Sequence, residues 1–97
     1  MPEFKADDFT RIATLYAPEI VSSLAISPTG SLLAIVAGDK VHVHQFKVLS
    51  SSTVDCPRLV TLFMPDKVQS VIFTPDGKQI VVAIANKVHL YSVPAEA

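Results

Sequence analysis

Three histidines, one cysteine and a scatter of serines and aspartates are the residues of this sequence that could do chemistry. His42 and His44 stand two apart, so on a strand they share a face. His89 follows His42 at a distance of 47 residues. A histidine pair can begin a metal site, but a zinc site takes four ligands. No second cluster of His, Cys or carboxylate lies nearby to complete the set. The sequence therefore predicts packed or rim histidines and no metal. If His42 and His89 sat between packed layers, protonation near their ordinary pKa of about 6.5 would loosen the contact. Signatures of catalysis are missing. There is no G-x-S-x-G elbow, no H-E-x-x-H and, with three glycines in all, no Gly-rich phosphate loop. We expect no enzyme, no catalytic residue and no cofactor.

Composition narrows the class further. The chain has 97 residues, the length of one small domain, and a net charge of -1. Nothing in that charge attracts nucleic acid or an anionic membrane. Cys56 is the lone cysteine and cannot form an internal disulfide, which predicts a reducing compartment, cytoplasmic or nuclear. The first residues, MPEFKADDF, hold no apolar h-region, and no apolar run approaches the roughly 20 residues a membrane helix needs. Apolar residues make up 49% of the chain. A small domain has much surface and little interior, so its elements must be covered on both faces or expose apolar patches.

The elements that would carry these residues come twice. Residues 21–46 (VSSLAISPTGSLLAIVAGDKVHVHQF) align without a gap on residues 68–93 (VQSVIFTPDGKQIVVAIANKVHLYSV). Residues 10–20 (TRIATLYAPEI) likewise fall on residues 57–67 (PRLVTLFMPDK). In each repeat a short β-branched segment is broken by Pro, then three strands follow. Residues 10–16, 20–27, 32–37 and 40–47 are predicted strands of the first repeat. Residues 58–63, 68–74, 79–85 and 87–93 are those of the second. Ser27-Pro28-Thr29-Gly30 and Thr74-Pro75-Asp76-Gly77 are turns, with Pro presetting φ. Gly38-Asp39 and Ala85-Asn86 are hairpins. Residues 32–37 (LLAIVA) and 79–85 (QIVVAIA) are apolar almost throughout, the pattern of a strand buried on both faces. Residues 48–56 (VLSSSTVDC) read as the longest loop. Residues 1–9 read as a flexible lead, with Phe4 and Phe9 docking on the first strand. The organisation is thus residues 1–9, a repeat over 10–56, and a second repeat and tail over 57–97. Strands joined by tight turns form a meander, so each repeat is expected to fold as one four-stranded antiparallel sheet.

These features resemble the WD40-repeat β-propeller family. The resemblance rests on the two Pro-Gly turns after apolar strands, the all-apolar strands, and Lys40-Val41-His42-Val43 with Lys87-Val88-His89-Leu90 after the hairpins. It covers residues 10–93, at a period slightly above the usual length of about 40–45 residues. The family's Trp-Asp pair is replaced by His44-Gln45 and Tyr91-Ser92, and its Gly-His by the Pro18-Glu19 and Pro65-Asp66 region. The buried hydrogen-bond network of well-formed blades cannot form here. The resemblance implies an all-β chain of two four-stranded blades, an incomplete ring unless further blades join it. It also implies an offset in which residues 10–16 complete a blade whose other strands come from elsewhere.

A propeller closes with about four to eight blades. Copies of this chain could supply them, as a trimer of six blades or a tetramer of eight; so could another chain, or the remainder of a longer WD40 scaffold protein. We expect self-assembly, because Met1 starts the chain and it ends on a blade boundary. Leu33, Ile35, Ile80, Val82 and Ile84 are the expected inter-blade packing. Glu19, Asp39, Lys40, Asp66, Lys67, Asn86 and Lys87 would form a mixed-charge rim for docking a protein partner. The function implied is a non-catalytic protein-interaction scaffold. The alternative is a lectin-like small-ligand binder with sites between blades. Such sites commonly stack sugars on Trp, and this chain has none; Tyr16 and Tyr91 are its only tyrosines.

Overall fold

A strand needs a ladder partner, and the partners sort this chain into three sheets. The structure, a computed structural model, describes residue 3, residues 5–9 and residues 11–94. These residues form β1 (Val21–Ile26), β2 (Leu32–Ala37), β3 (Lys40–Gln45), β4 (Lys47–Ser50), β5 (Thr53–Asp55), β6 (Arg58–Phe63), β7 (Ser70–Phe73), β8 (Gln79–Ile84) and β9 (Lys87–Ser92). Among the described residues the only helical element is a 3-10 turn, Ala6–Asp8. The first sheet has the order β1-β2-β3-β6, the second β7-β8-β9, and β4-β5 is a separate hairpin. All pairings are antiparallel.

Repeat and sheet therefore do not coincide. β6, the first strand of the second repeat, pairs with β3 of the first. The expectation of two four-stranded sheets is corrected to sheets of four and three strands plus the hairpin. The expected strand over residues 10–16 is also absent where described: residues 11–16 belong to no strand, and Thr10 lies outside the described residues. Among the described residues no strand pairs with them, so the β-branched Ile12 and Thr14 join no ladder. Residues 48–56 are not a loop. Val48 pairs with Val54 and Lys47 with Asp55 across a turn at Ser51-Ser52, since β-branched residues on both sides of a short polar turn favour a hairpin. Phe9 is 71% exposed, and Phe4 lies outside the described residues.

The turns repeat as closely as the sequence does. Ser27 N–H donates to Leu32 O at 2.9 Å and Gly30 N–H to Ser27 O at 2.8 Å. Thr74 N–H donates to Gln79 O at 3.0 Å and Gly77 N–H to Thr74 O at 2.8 Å. The Ser27 hydroxyl accepts the N–H of Leu32 at 3.0 Å, as the Thr74 hydroxyl accepts that of Gln79 at 3.1 Å.

One apolar cluster joins the two larger sheets. It holds Leu32, Ala34 and Val36 of β2, Val41 and Val43 of β3, Val71 of β7, and Ile80, Val82 and Ile84 of β8, with Met64 and Val68 from the connection. Alternation sends β2's other side chains, Leu33, Ile35 and Ala37, to the opposite face. Leu33 and Ile35 are thus not in this core, whereas Ile80, Val82 and Ile84 are.

Candidate functional site

The alignment at 47 residues places Leu33 with Ile80, Ile35 with Val82 and Ala37 with Ile84. The core instead joins Leu32, Ala34 and Val36 to Ile80, Val82 and Ile84. The two sheets therefore meet through faces that are not equivalent, in a head-to-tail stack. The remaining face of each sheet is of the kind its neighbour uses in the stack.

On the first sheet that remaining face carries Leu24, Leu33, Ile35, His42 and His44. Residues 12–18 and the β4-β5 hairpin lie along it, with two clefts of about 350 and 280 Å³ between them. On the second sheet the remaining face carries Ile72, Val81, Ala83, Val88 and Leu90. Ile72 is 55% exposed, Val88 62% and Leu90 62%. Among the described residues nothing pairs with the outer edge of β9. A groove of about 610 Å³ borders that edge, between Tyr91, Val93 and Pro94 on one side and Leu59, Val60 and Leu62 of β6 on the other. Gln45 and Ser92 are its few polar residues.

The histidines are packed into these layers. His42 is buried, with Nδ1 2.9 Å from the Thr61 hydroxyl. His44 Nδ1 donates to the Cys56 carbonyl at 2.9 Å. His89 stacks on Tyr91, ring centroids 6.5 Å apart. Among the described residues no hydrogen-bond partner meets the buried Nε2 atoms of His42 and His89. Burial holds His42 below the ordinary imidazole range, and the charges of Arg58, His44 and Lys40 act the same way. Among the described residues no three His, Cys, Asp or Glu side chains gather as a metal set.

The charged rim is assembled only in part. Lys40 donates to Glu19 at 2.8 Å and reaches Asp39 at 3.4 Å. Glu19 and then Asp39 hold the Lys40 ammonium above its ordinary range. Gly38 has φ +64, and a Cβ there would collide with the Glu19 carboxylate, so the acid lies against the hairpin backbone. Asp66 and Lys67 reach the same hairpin through their own connection: Met64 N–H donates to Asp39 O at 2.9 Å and Val68 N–H to Gly38 O at 3.0 Å. Asn86 and Lys87 sit on the β8-β9 hairpin, which no described ion pair ties to this group.

A further cleft, about 650 Å³, lies between the two Pro-Gly turns and is lined by Ser27, Thr29, Ser31, Asp76, Lys78 and Gln79. Most of its polar groups already serve the turns. Thr29 hydrogen-bonds Ser31 at 2.8 Å, and Thr74 donates to Asp76 at 2.6 Å.

No helix of the described residues is long and apolar enough to cross a membrane. Comparison with protein-family models finds no match, and comparison with curated proteins finds none. The apolar strands are legible in the sequence, and a last sheet of three strands with β9 at its edge agrees with the offset that the resemblance implies. The fourth strand of the first sheet, β6, comes from the following repeat.

Proposed function

We propose that this chain is a non-catalytic scaffold module: two WD40-like blades, a half-propeller that joins further blades to close a ring. The observation that carries this reading is the head-to-tail stack. A face-to-back contact repeats indefinitely unless the rotation closes it. Leu24, with the partly exposed Leu33 beside it, at one end and Ile72, Val88 and Leu90 at the other are apolar side chains such a contact would bury. Copies of the same chain supply the missing blades, and the rim of Glu19, Asp39, Lys40, Asp66 and Lys67 docks a protein partner. The half-buried single thiol of Cys56 suits a reducing cytoplasm or nucleus.

Light scattering over a range of concentrations tests the reading. Species of whole-number multiples of the 10.5 kDa chain are expected. A monodisperse monomer at every concentration would overturn it. The lectin-like alternative finds little support, since the groove beside β9 is apolar and the polar cleft is occupied with its own turns.

A further inference from the structure

We propose that the open edge of β9 takes residues 11–16 of a second copy as its fourth strand. The proposal rests on the half-propeller reading and names the contact that would carry it. β3 and β9 are equivalent under the 47-residue offset, and so are residues 58–63 and 11–16. β3 has its outer edge filled by β6, in the register Lys40–Phe63, Val41–Leu62, His42–Thr61 and Val43–Val60. Transposed, that register becomes Lys87–Tyr16, Val88–Leu15, His89–Thr14 and Leu90–Ala13.

Three observations converge on this pairing. The first is chemical. His42 contacts Thr61 across the β3-β6 pair at 2.9 Å, and both partners recur, as His89 and Thr14. Arg11, Leu15 and Pro18 likewise recur as Arg58, Leu62 and Pro65. The second is the state of the segment: residues 11–16 are exposed and in no strand, although their composition is that of one. The third is reach. Residues 64–68 carry the chain from the first sheet to the second, held by Met64 N–H on Asp39 O and Val68 N–H on Gly38 O. Residues 17–21 are their equivalents. In the assembly Ala17 N–H donates to Asn86 O, and Val21 N–H to Ala85 O, of the neighbouring copy. Main-chain pairing at an exposed edge supplies affinity, and alternate side chains supply selectivity.

Cross-linking in a Cys56→Ser background tests the register. One batch carries Ala13→Cys and another Leu90→Cys, both exposed positions. Directly opposed residues bring Cα atoms to about 4.5–5.5 Å, within disulfide range. On mild oxidation of the mixture, a covalent dimer linking residues 13 and 90 is expected in peptide mass spectrometry. It is lost when Thr14→Cys replaces Ala13→Cys, because that side chain points to the other face. Circular dichroism establishes that each variant keeps its strands. An oligomer in light scattering with no 13–90 link would overturn the strand addition and leave the half-propeller reading intact. A monomer would overturn both. A 13–90 link within one chain of the double variant would show that the strand closes on its own β9.

Discussion

The Nδ1 atom of His42 lies 2.9 Å from the Thr61 hydroxyl, across the pairing of β3 with β6. That contact ties a strand of the first repeat to one of the second, so it fixes where one sheet ends. Thr61→Val keeps the side chain's shape and removes the hydroxyl. A buried polar group left without its partner costs about 1–3 kcal/mol, and urea unfolding at pH 8 should register a loss of that size. An unchanged midpoint would mean that His42 finds another partner.

The same histidine makes stability pH-dependent. Burial chiefly, then Arg58, His44 and Lys40, hold the folded pKa below the ordinary value, while Glu19 pulls weakly the other way. Between the lowered folded pKa and about 6.5 the unfolded chain binds more protons than the folded one. The His42 contribution is therefore complete above about pH 6.5 and declines as pH falls below it. Urea midpoints from pH 8 to pH 5 should fall, and His42→Gln should flatten that slope. A slope unaffected by the substitution would assign it to other groups.

Ser27 is 4% exposed, and its hydroxyl accepts the N–H groups of Ser31 at 3.2 Å and Leu32 at 3.0 Å. Ser27→Ala leaves the Leu32 N–H without this acceptor and is expected to cost about 1–3 kcal/mol. Thr74→Ala removes the matching acceptor at an exposed turn, where water replaces it, and should cost less. Thermal unfolding of the two variants gives the order; equal losses would show that burial is not what sets the difference.

Ile72 and Leu90 point away from the core on the open face of the second sheet. Ile72→Glu should leave the far-ultraviolet circular dichroism unchanged and reduce the mass measured by light scattering, because a charge on a face about to be buried opposes the contact. The opposite result, with assembly intact, would mean that this face stays in water in the oligomer.

Much of the architecture was legible in the residues alone. β2, β3, β6 and β8 begin where expected, because runs of strand length bounded by Pro or Gly leave few other conformations. The hairpin within residues 48–56 is not legible in the sequence, since three serines in a row hide the Val48–Val54 pair that makes it. Periodicity reports which residues share a face but not which face meets which neighbour. Only the tertiary structure decided that Leu32, Ala34 and Val36, rather than Leu33 and Ile35, meet Ile80, Val82 and Ile84, because both faces of β2 are apolar and sequence cannot rank them. Likewise only pairing decided that β6 belongs to the first sheet and that residues 11–16 form no strand: a strand is defined by the hydrogen bonds of another segment, and its own side chains cannot supply them.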